Sequence, residues 1–150
     1  MEKTGGRKGF SAVELVIALA VVVIVAVIAV PKLMNVLHDS QEKATRGALG
    51  ALRSAIAMYY GDHDGNYPGA DIVKELTEDG KYIKEIPFAC CPPYHKKSNK
   101  IYIGDFDKNK DLCGWAYKPG DEDDAAGRVK GQIWINCSHK DSRGNVWSEL

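Results

Sequence analysis

Four cysteines carry the most evident chemistry in this 150-residue sequence: Cys90, Cys91, Cys113 and Cys137. As zinc ligands they would be joined by His95 or His139, but two are adjacent and two are isolated, so no C-x-x-C zinc knuckle is present. Adjacent cysteines rarely bond to each other, because a vicinal ring strains the peptide. The even number therefore favours disulfides that join Cys113 and Cys137 to Cys90 and Cys91, in either order.

A second set of possible ligands occupies alternate positions of one short stretch, at Asp105, Asp107, Asn109 and Asp111. In a calcium loop, alternate oxygen-bearing side chains turn toward one hard cation, so this spacing predicts a calcium site. An EF-hand does not fit, because Lys110 replaces the turn glycine and Ala116 stands where the loop needs glutamate. The alternative is a solvated turn in which these side chains accept hydrogen bonds from backbone amides. No other cofactor is expected.

Catalytic motifs are not found in the sequence. His38, Asp39 and Ser40 are the residue types of a catalytic triad, but consecutive helix positions point about 100° apart and cannot converge on one substrate. The sequence contains no G-x-S-x-G, P-loop, H-E-x-x-H or C-x-x-C-H motif. Basic and acidic residues number 20 each and are interspersed, so nucleic acid is not an expected partner either. We expect a protein that is not an enzyme.

The elements that position these residues begin with an unbroken apolar run from Leu15 to Val30, preceded by a basic leader. Residues 10–31 are long enough to cross about 30 Å of hydrocarbon as a helix. The basic leader places the N-terminus in the cytoplasm and the bulk of the chain outside. Glu14 lies within this span, where a carboxylate costs roughly 2.5–3.5 kcal/mol on insertion, so either it is misplaced there or it has a partner.

Other N-terminal segments share this hydropathy. A secretory signal peptide could be cut after Ala18-Leu19-Ala20, but cleavage there would leave Val21 to Val30 as an exposed apolar tail. A plain single-span anchor fits the hydropathy but leaves Glu14 and the Gly9-Phe10 junction without a role.

Pro31 is a predicted kink, because it removes one backbone hydrogen bond of the helix. After it, apolar residues recur every three or four positions to about Tyr60. The predicted apolar stripe consists of Leu33, Val36, Leu37, Ala44, Ala48, Leu52, Ala55, Ile56 and Tyr59. Glu42 and Arg46 are assigned to the opposite, polar face. A short helix is predicted next, over 72–78, with Asp71 as its cap and Gly80 as its stop.

Three predicted strands complete the head, at 100–103, 115–118 and 132–136. The expected fold is α+β, with the long helix packed on a small antiparallel β-sheet. The expected organisation is a leader at 1–9, a spanning helix at 10–31, an amphipathic half at 32–61 and a head at 62–150.

The N-terminal residues resemble a known family. Gly9, the run Phe10-Ser11-Ala12-Val13-Glu14-Leu15-Val16 and Pro31 resemble the class III leader and N-terminal helix of the type IV pilin and type II secretion pseudopilin superfamily. The resemblance is specific over residues 5–31. It implies that a prepilin peptidase cuts the Gly9-Phe10 bond and methylates the new amine of Phe10.

The same resemblance implies a subunit that is held in the inner membrane with its head in the periplasm. An assembly ATPase and an inner-membrane platform protein would then move it into a homopolymer, a pilus or pseudopilus, with minor pilins or pseudopilins. Glu14 would face the Phe10 amine of a neighbouring subunit. The alternatives are a membrane-anchored periplasmic binding domain and a DNA-uptake pilin.

Overall fold

The α+β class is confirmed in the computed structural model, which describes residues 11–104, 111–119 and 127–150. Two helices and three strands form the regular structure: α1 (Ala12–Asp62), α2 (Ile72–Thr77), β1 (Ile101–Ile103), β2 (Trp115–Tyr117) and β3 (Ile133–Ile135). Single 3-10 turns occupy Glu78–Gly80 and Trp147–Glu149. The chain divides into two compact units, residues 1–37 and residues 38–150.

The first unit contains the apolar part of α1. Its most apolar 18-residue window has a mean hydropathy of 3.2, which makes α1 long and apolar enough to cross a membrane. The large apolar side chains from Val13 to Leu37 are between 46% and 70% exposed. Pro31 lies inside the helix, which continues on both sides of it although Pro31 has no amide hydrogen to donate.

In the second unit, α1 covers the core of the head with one stripe of side chains. Leu49, Leu52, Ala55 and Ile56 are buried at spacings of three, three and one, which is one face of a helix. Of the predicted stripe, Ala48 and Tyr59 are only partly buried and Ala44 is exposed. The stripe meets a core from the sheet, α2 and the end of the chain, whose largest members are Trp115, Tyr117, Ile133, Ile135, Leu76 and Trp147.

The sheet is mixed, with strand order β1-β2-β3, and the expectation of a purely antiparallel sheet was wrong. β1 pairs with β2 in parallel, with Ile101 opposite Trp115, whereas β2 and β3 are antiparallel. The physical reason is the connection: residues 104–114 separate β1 from β2, and a segment of this length can return the chain to the start of the neighbouring strand. β2 is the central strand and is buried along its whole length.

Two residues assigned to the polar face of α1 are instead contacts to the end of the chain. Glu42 is 5% exposed and accepts hydrogen bonds from the Ser142 amide at 3.0 Å and the Ser142 hydroxyl at 2.6 Å. Arg46 pairs with the buried Asp141 and lies over the ring of Trp147. Sequence periodicity classed both as solvent-facing because their partners are about a hundred positions away.

Helix α2 begins without the predicted side-chain cap. Asp71 has φ −88° and ψ 31°, which is not the extended conformation of a capping residue, and its side chain makes no cap hydrogen bond. The Asp71 carbonyl accepts a hydrogen bond from the Glu75 amide instead. The Glu75 side chain accepts one from the Gly69 amide, at 3.0 Å from Oε2. The helix ends at Thr77, and Gly80, its predicted stop, has φ 66° and ends the 3-10 turn that follows.

We expect Gly131→Ala to destabilise the head more than Gly144→Ala does. Both glycines have positive φ, which costs an alanine about 1 kcal/mol. A β-carbon at Gly131 would also lie 2.3 Å from the Tyr67 ring, whereas Gly144 has open space. The overlap should add about 1–3 kcal/mol to the loss of unfolding free energy.

The measurement is urea unfolding of the full chain in detergent, followed by tryptophan fluorescence, because all three tryptophans lie in the head. Equal losses of unfolding free energy in the two variants would contradict the predicted contact between residue 131 and Tyr67.

Candidate functional site

The first candidate site is the start of α1, where one acidic side chain stands in an apolar helix. The Leu15 amide donates to the Ser11 carbonyl at 3.1 Å, so Glu14 lies in the first helical turn, where the helix dipole favours a negative charge. Glu14 is exposed. Gly9 and Phe10, the predicted cleavage and methylation site, lie outside the described residues. The assembly roles of Glu14 and Pro31 remain predictions.

The second candidate site is a group of thiols in the core of the head. Cys91, Cys113 and Cys137 have no exposed surface, and the sulfurs of Cys91 and Cys113 lie 2.9 Å apart. Cys90 is partly exposed, and its sulfur lies 3.6 Å from Gln41 Oε1. All four are thiols in this structure, so disulfide formation remains a prediction. Of the expected pairs, Cys91 and Cys113 are the one whose sulfurs are in contact in the described residues.

Backbone contacts from three parts of the chain hold these thiols together. Thr45 Oγ1 on α1 accepts the Cys90 amide at 2.9 Å and so attaches the cysteine pair to the helix. The Cys113 amide donates to the Asn136 carbonyl, next to Cys137. Cys113 also has φ 57°, a left-handed conformation that is uncommon for a residue with a side chain. Such a conformation persists only where the surroundings hold it in place.

The buried thiols differ in acidity because of the hydrogen bonds between them. Hydrogen bonds from Cys91 toward Cys113 and Cys137, together with burial, raise the pKa of Cys91. Accepting from Cys91 lowers the pKa of Cys113. It also lowers the pKa of Cys137 to about 6, although burial acts in the opposite direction.

A third cluster joins the Cys137 sulfur to two histidines and a carboxylate. The ligand atoms of His95, Asp111, Cys137 and His139 all lie within 4.8 Å of one another. His95 Nε2 is 3.2 Å from His139 Nδ1, which in turn is 3.7 Å from the Cys137 sulfur. Asp111 Oδ1 is 3.0 Å from His95 Nε2, and Asp111 Oδ2 is 3.2 Å from His139 Nδ1. These side chains are of the types that bind transition metals.

Three separate segments supply this cluster. The His95 amide donates to the Cys91 carbonyl at 3.1 Å, so His95 lies one turn after that cysteine. Cys137 and His139 follow β3, and Asp111 precedes β2. Sequence reasoning named both histidines as possible partners of the cysteines but missed Asp111. The available signal was the spacing Cys137-x-His139, because alternate residues of an extended chain point to the same side.

Asp111 was assigned to the calcium loop. The other three predicted calcium ligands, Asp105, Asp107 and Asn109, lie outside the described residues, so the calcium site remains a prediction. The Asp111 carboxylate accepts the Ser138 amide at 3.0 Å and the Ser138 hydroxyl. Partial burial alone would raise the pKa of Asp111, but these hydrogen bonds and the two nearby histidines lower it.

The described residues contain one apolar helix long enough to cross a membrane and a small α+β head, and two known proteins are similar to this chain. The chain is 31% identical over 79 residues to a ComG operon protein 3 homolog of Bacillus licheniformis, across 53% of this chain and 77% of that relative. It is 30% identical over 82 residues to fimbrial protein EcpC of Eikenella corrodens, across 53% of each chain. No family model and no solved structure matches it.

These similarities show the family. The chain belongs to the type IV pilin and type II secretion pseudopilin superfamily, as the residues around the Gly9-Phe10 junction indicated. A pilin-like structural role follows from this membership.

We expect mild oxidation of the folded chain to link Cys91 to Cys113, because their sulfurs are already in contact. Mass spectrometry of a digest made without reduction should show one cross-linked pair of peptides. Cys90→Ser should leave this link intact and Cys91→Ser should abolish it. The two variants therefore show which of the adjacent cysteines forms the disulfide. A link that survives Cys91→Ser and disappears in Cys90→Ser would contradict the geometry of this core.

Proposed function

We propose that this chain is a structural subunit of a type IV pilus or a type II secretion pseudopilus. It is stored in the inner membrane with its N-terminus in the cytoplasm and its head in the periplasm. A prepilin peptidase removes residues 1–9 and methylates the amine of Phe10. An assembly ATPase and an inner-membrane platform protein then add the subunit to a homopolymer, together with minor pilins or pseudopilins.

The observation that carries this proposal is the exposed apolar surface of the first unit. The large apolar side chains from Val13 to Leu37 are all close to half exposed or more, and burial of apolar surface is worth roughly 25 cal/mol per Å². Such a surface needs an apolar environment at every stage. Lipid supplies it before assembly, and the helices of neighbouring subunits supply it in the fibre.

Glu14 makes the two environments unequal. In lipid, a carboxylate within the spanning segment has no partner and costs roughly 2.5–3.5 kcal/mol. In the proposed fibre, the new amine of Phe10 on the next subunit is the cation that pairs with Glu14. An ion pair in an apolar core is strongly sensitive to the loss of one partner, so it favours one alignment of neighbouring helices over others. The proposed role of Glu14 is therefore to set the position of incoming subunits.

The first prediction from this proposal concerns processing. Mass spectrometry of assembled fibres purified from the host should find an N-terminus at Phe10 that carries a methyl group. Gly9→Val should stop cleavage because it alters the residue at the cut bond, whereas Gly6→Val, within the same leader, should be processed normally. Assembled fibres that retain residues 1–9 would refute the proposal.

The second prediction concerns Glu14. Glu14→Ala should enter the membrane at least as well as wild type, because a costly charge is removed, but it should reduce the yield of fibres strongly. Glu85→Ala removes an exposed carboxylate from the head and serves as the control. The amount of membrane-bound subunit and of sheared fibre would be measured by immunoblot. Wild-type fibre yield from Glu14→Ala would remove the proposed role of this carboxylate.

A further inference from the structure

We propose that His95, Asp111, Cys137 and His139 bind one zinc ion in the head. The four side chains come from three segments that are remote in sequence, and their ligand atoms lie within 4.8 Å of one another. This inference concerns the head alone and does not depend on how the N-terminal helix assembles.

The two distances that His139 makes to His95 and to Cys137 match the edges of a zinc tetrahedron. Zinc bonds of about 2.0–2.1 Å to nitrogen and about 2.3 Å to sulfur place two nitrogens about 3.3 Å apart, and a nitrogen and a sulfur about 3.6 Å apart. The two histidine nitrogens are 3.2 Å apart, and the His139 nitrogen is 3.7 Å from the Cys137 sulfur. The four ligand atoms are up to 4.8 Å apart, which is wider than such an edge, so the side chains would move inward when they bind the ion.

The carboxylate provides a second, independent observation. Asp111 Oδ1 is buried and accepts no hydrogen bond from any described residue, although His95 Nε2 lies only 3.0 Å away. Buried carboxylate oxygens are normally satisfied, because an unpaired one loses its hydration without compensation. His95 Nε2 and Asp111 Oδ1 are therefore close together without a hydrogen bond between them, as two ligands of one cation are.

The surroundings of the cluster fix its ligands as the outer contacts of a metal site do. Ser138 holds the other carboxylate oxygen, Asp111 Oδ2, through its amide and its hydroxyl. The ring of Tyr94 stacks on His139 with centroids 4.0 Å apart and an interplanar angle of 14°. The Ser148 amide donates to the Cys137 carbonyl, and the Trp147 amide to that of His139.

The ligand types favour zinc over calcium. Two imidazoles and a thiolate are soft or borderline ligands, which calcium does not use, whereas zinc takes sulfur, nitrogen and carboxylate oxygen in one tetrahedron. Four protein ligands leave no open position for substrate, so the ion would be structural. It would connect the segment around residue 95, the approach to β2 and the exit of β3, where the head has little regular structure.

The test uses the full chain in detergent, stripped of metal by a chelator and kept reduced by a phosphine. Added zinc should bind at one ion per chain and raise the unfolding midpoint by about 10 °C at a hundredfold excess over Kd. Cobalt, which replaces zinc, should give the visible absorption of a tetrahedral site and a near-ultraviolet sulfur-to-cobalt band. Calcium at the same concentration should not shift the midpoint through this site.

The chain offers matched controls, because it has four histidines and four cysteines. The double variant His95→Ala/His139→Ala should lose binding at least a hundredfold, and His38→Ala/His63→Ala should keep it. Cys137→Ser should lose the sulfur-to-cobalt band, whereas Cys90→Ser should retain it. Circular dichroism would confirm that each variant is folded.

Three results would overturn the zinc site. The first is wild-type chain that binds no stoichiometric zinc when reduced, a measurement that needs no variant. The second is wild-type affinity in the His95→Ala/His139→Ala variant. The third is a cobalt complex of the wild-type chain without a sulfur band.

Discussion

The head depends on the apolar stripe of α1 at Leu49, Leu52, Ala55 and Ile56. Each strand of the sheet has three residues, and so small a sheet is not stable in water without a surface to pack on. The stripe supplies this surface, and the buried rings of Trp115 and Tyr117 fill the space between helix and loops. Their polar atoms bond loop carbonyls, Trp115 Nε1 to Pro87 at 2.8 Å and the Tyr117 hydroxyl to Pro68 at 2.7 Å. The helix therefore organises loops as much as strands.

Periodicity predicted the elements of this fold because it records which side chains leave water. It placed β2 and β3 to within a residue or two, and it located Leu52, Ala55 and Ile56 in the stripe. It failed where a polar residue contacts a distant partner, since Glu42 is buried against Ser142 and the partly exposed Arg46 pairs with Asp141. It also missed the parallel pairing of β1 with β2, since strand direction depends on the course of the connecting segment and not on the strands themselves.

The candidate sites were predictable to different degrees, because one is made of contiguous residues and the other of residues that are remote in sequence. The N-terminal signal is local: a basic leader, an apolar run and one carboxylate are contiguous, so the sequence alone indicated the family. The cluster around Cys137 is not local. Its residues are spread over more than forty positions, and each one taken singly resembles a surface histidine, a loop aspartate or half of a disulfide. Only the fold brings Asp111 to His95 and His139, and this contact changes the chemistry expected of the cysteine beside them.

Both candidate sites contain a carboxylate oxygen that accepts no hydrogen bond from the described residues. Glu14 is a carboxylate in an apolar helix, and Asp111 Oδ1 is a buried oxygen that accepts no hydrogen bond from the described residues. A neighbouring subunit would supply a partner for Glu14 in the proposed fibre, and a metal ion would add to the contact that His95 already makes with Asp111 in the proposed zinc site. The difference lies in when the partner arrives. The proposed metal ion would stabilise the head of a single subunit, whereas the proposed partner of Glu14 would be supplied only in the fibre, so the two contacts would act at separate stages.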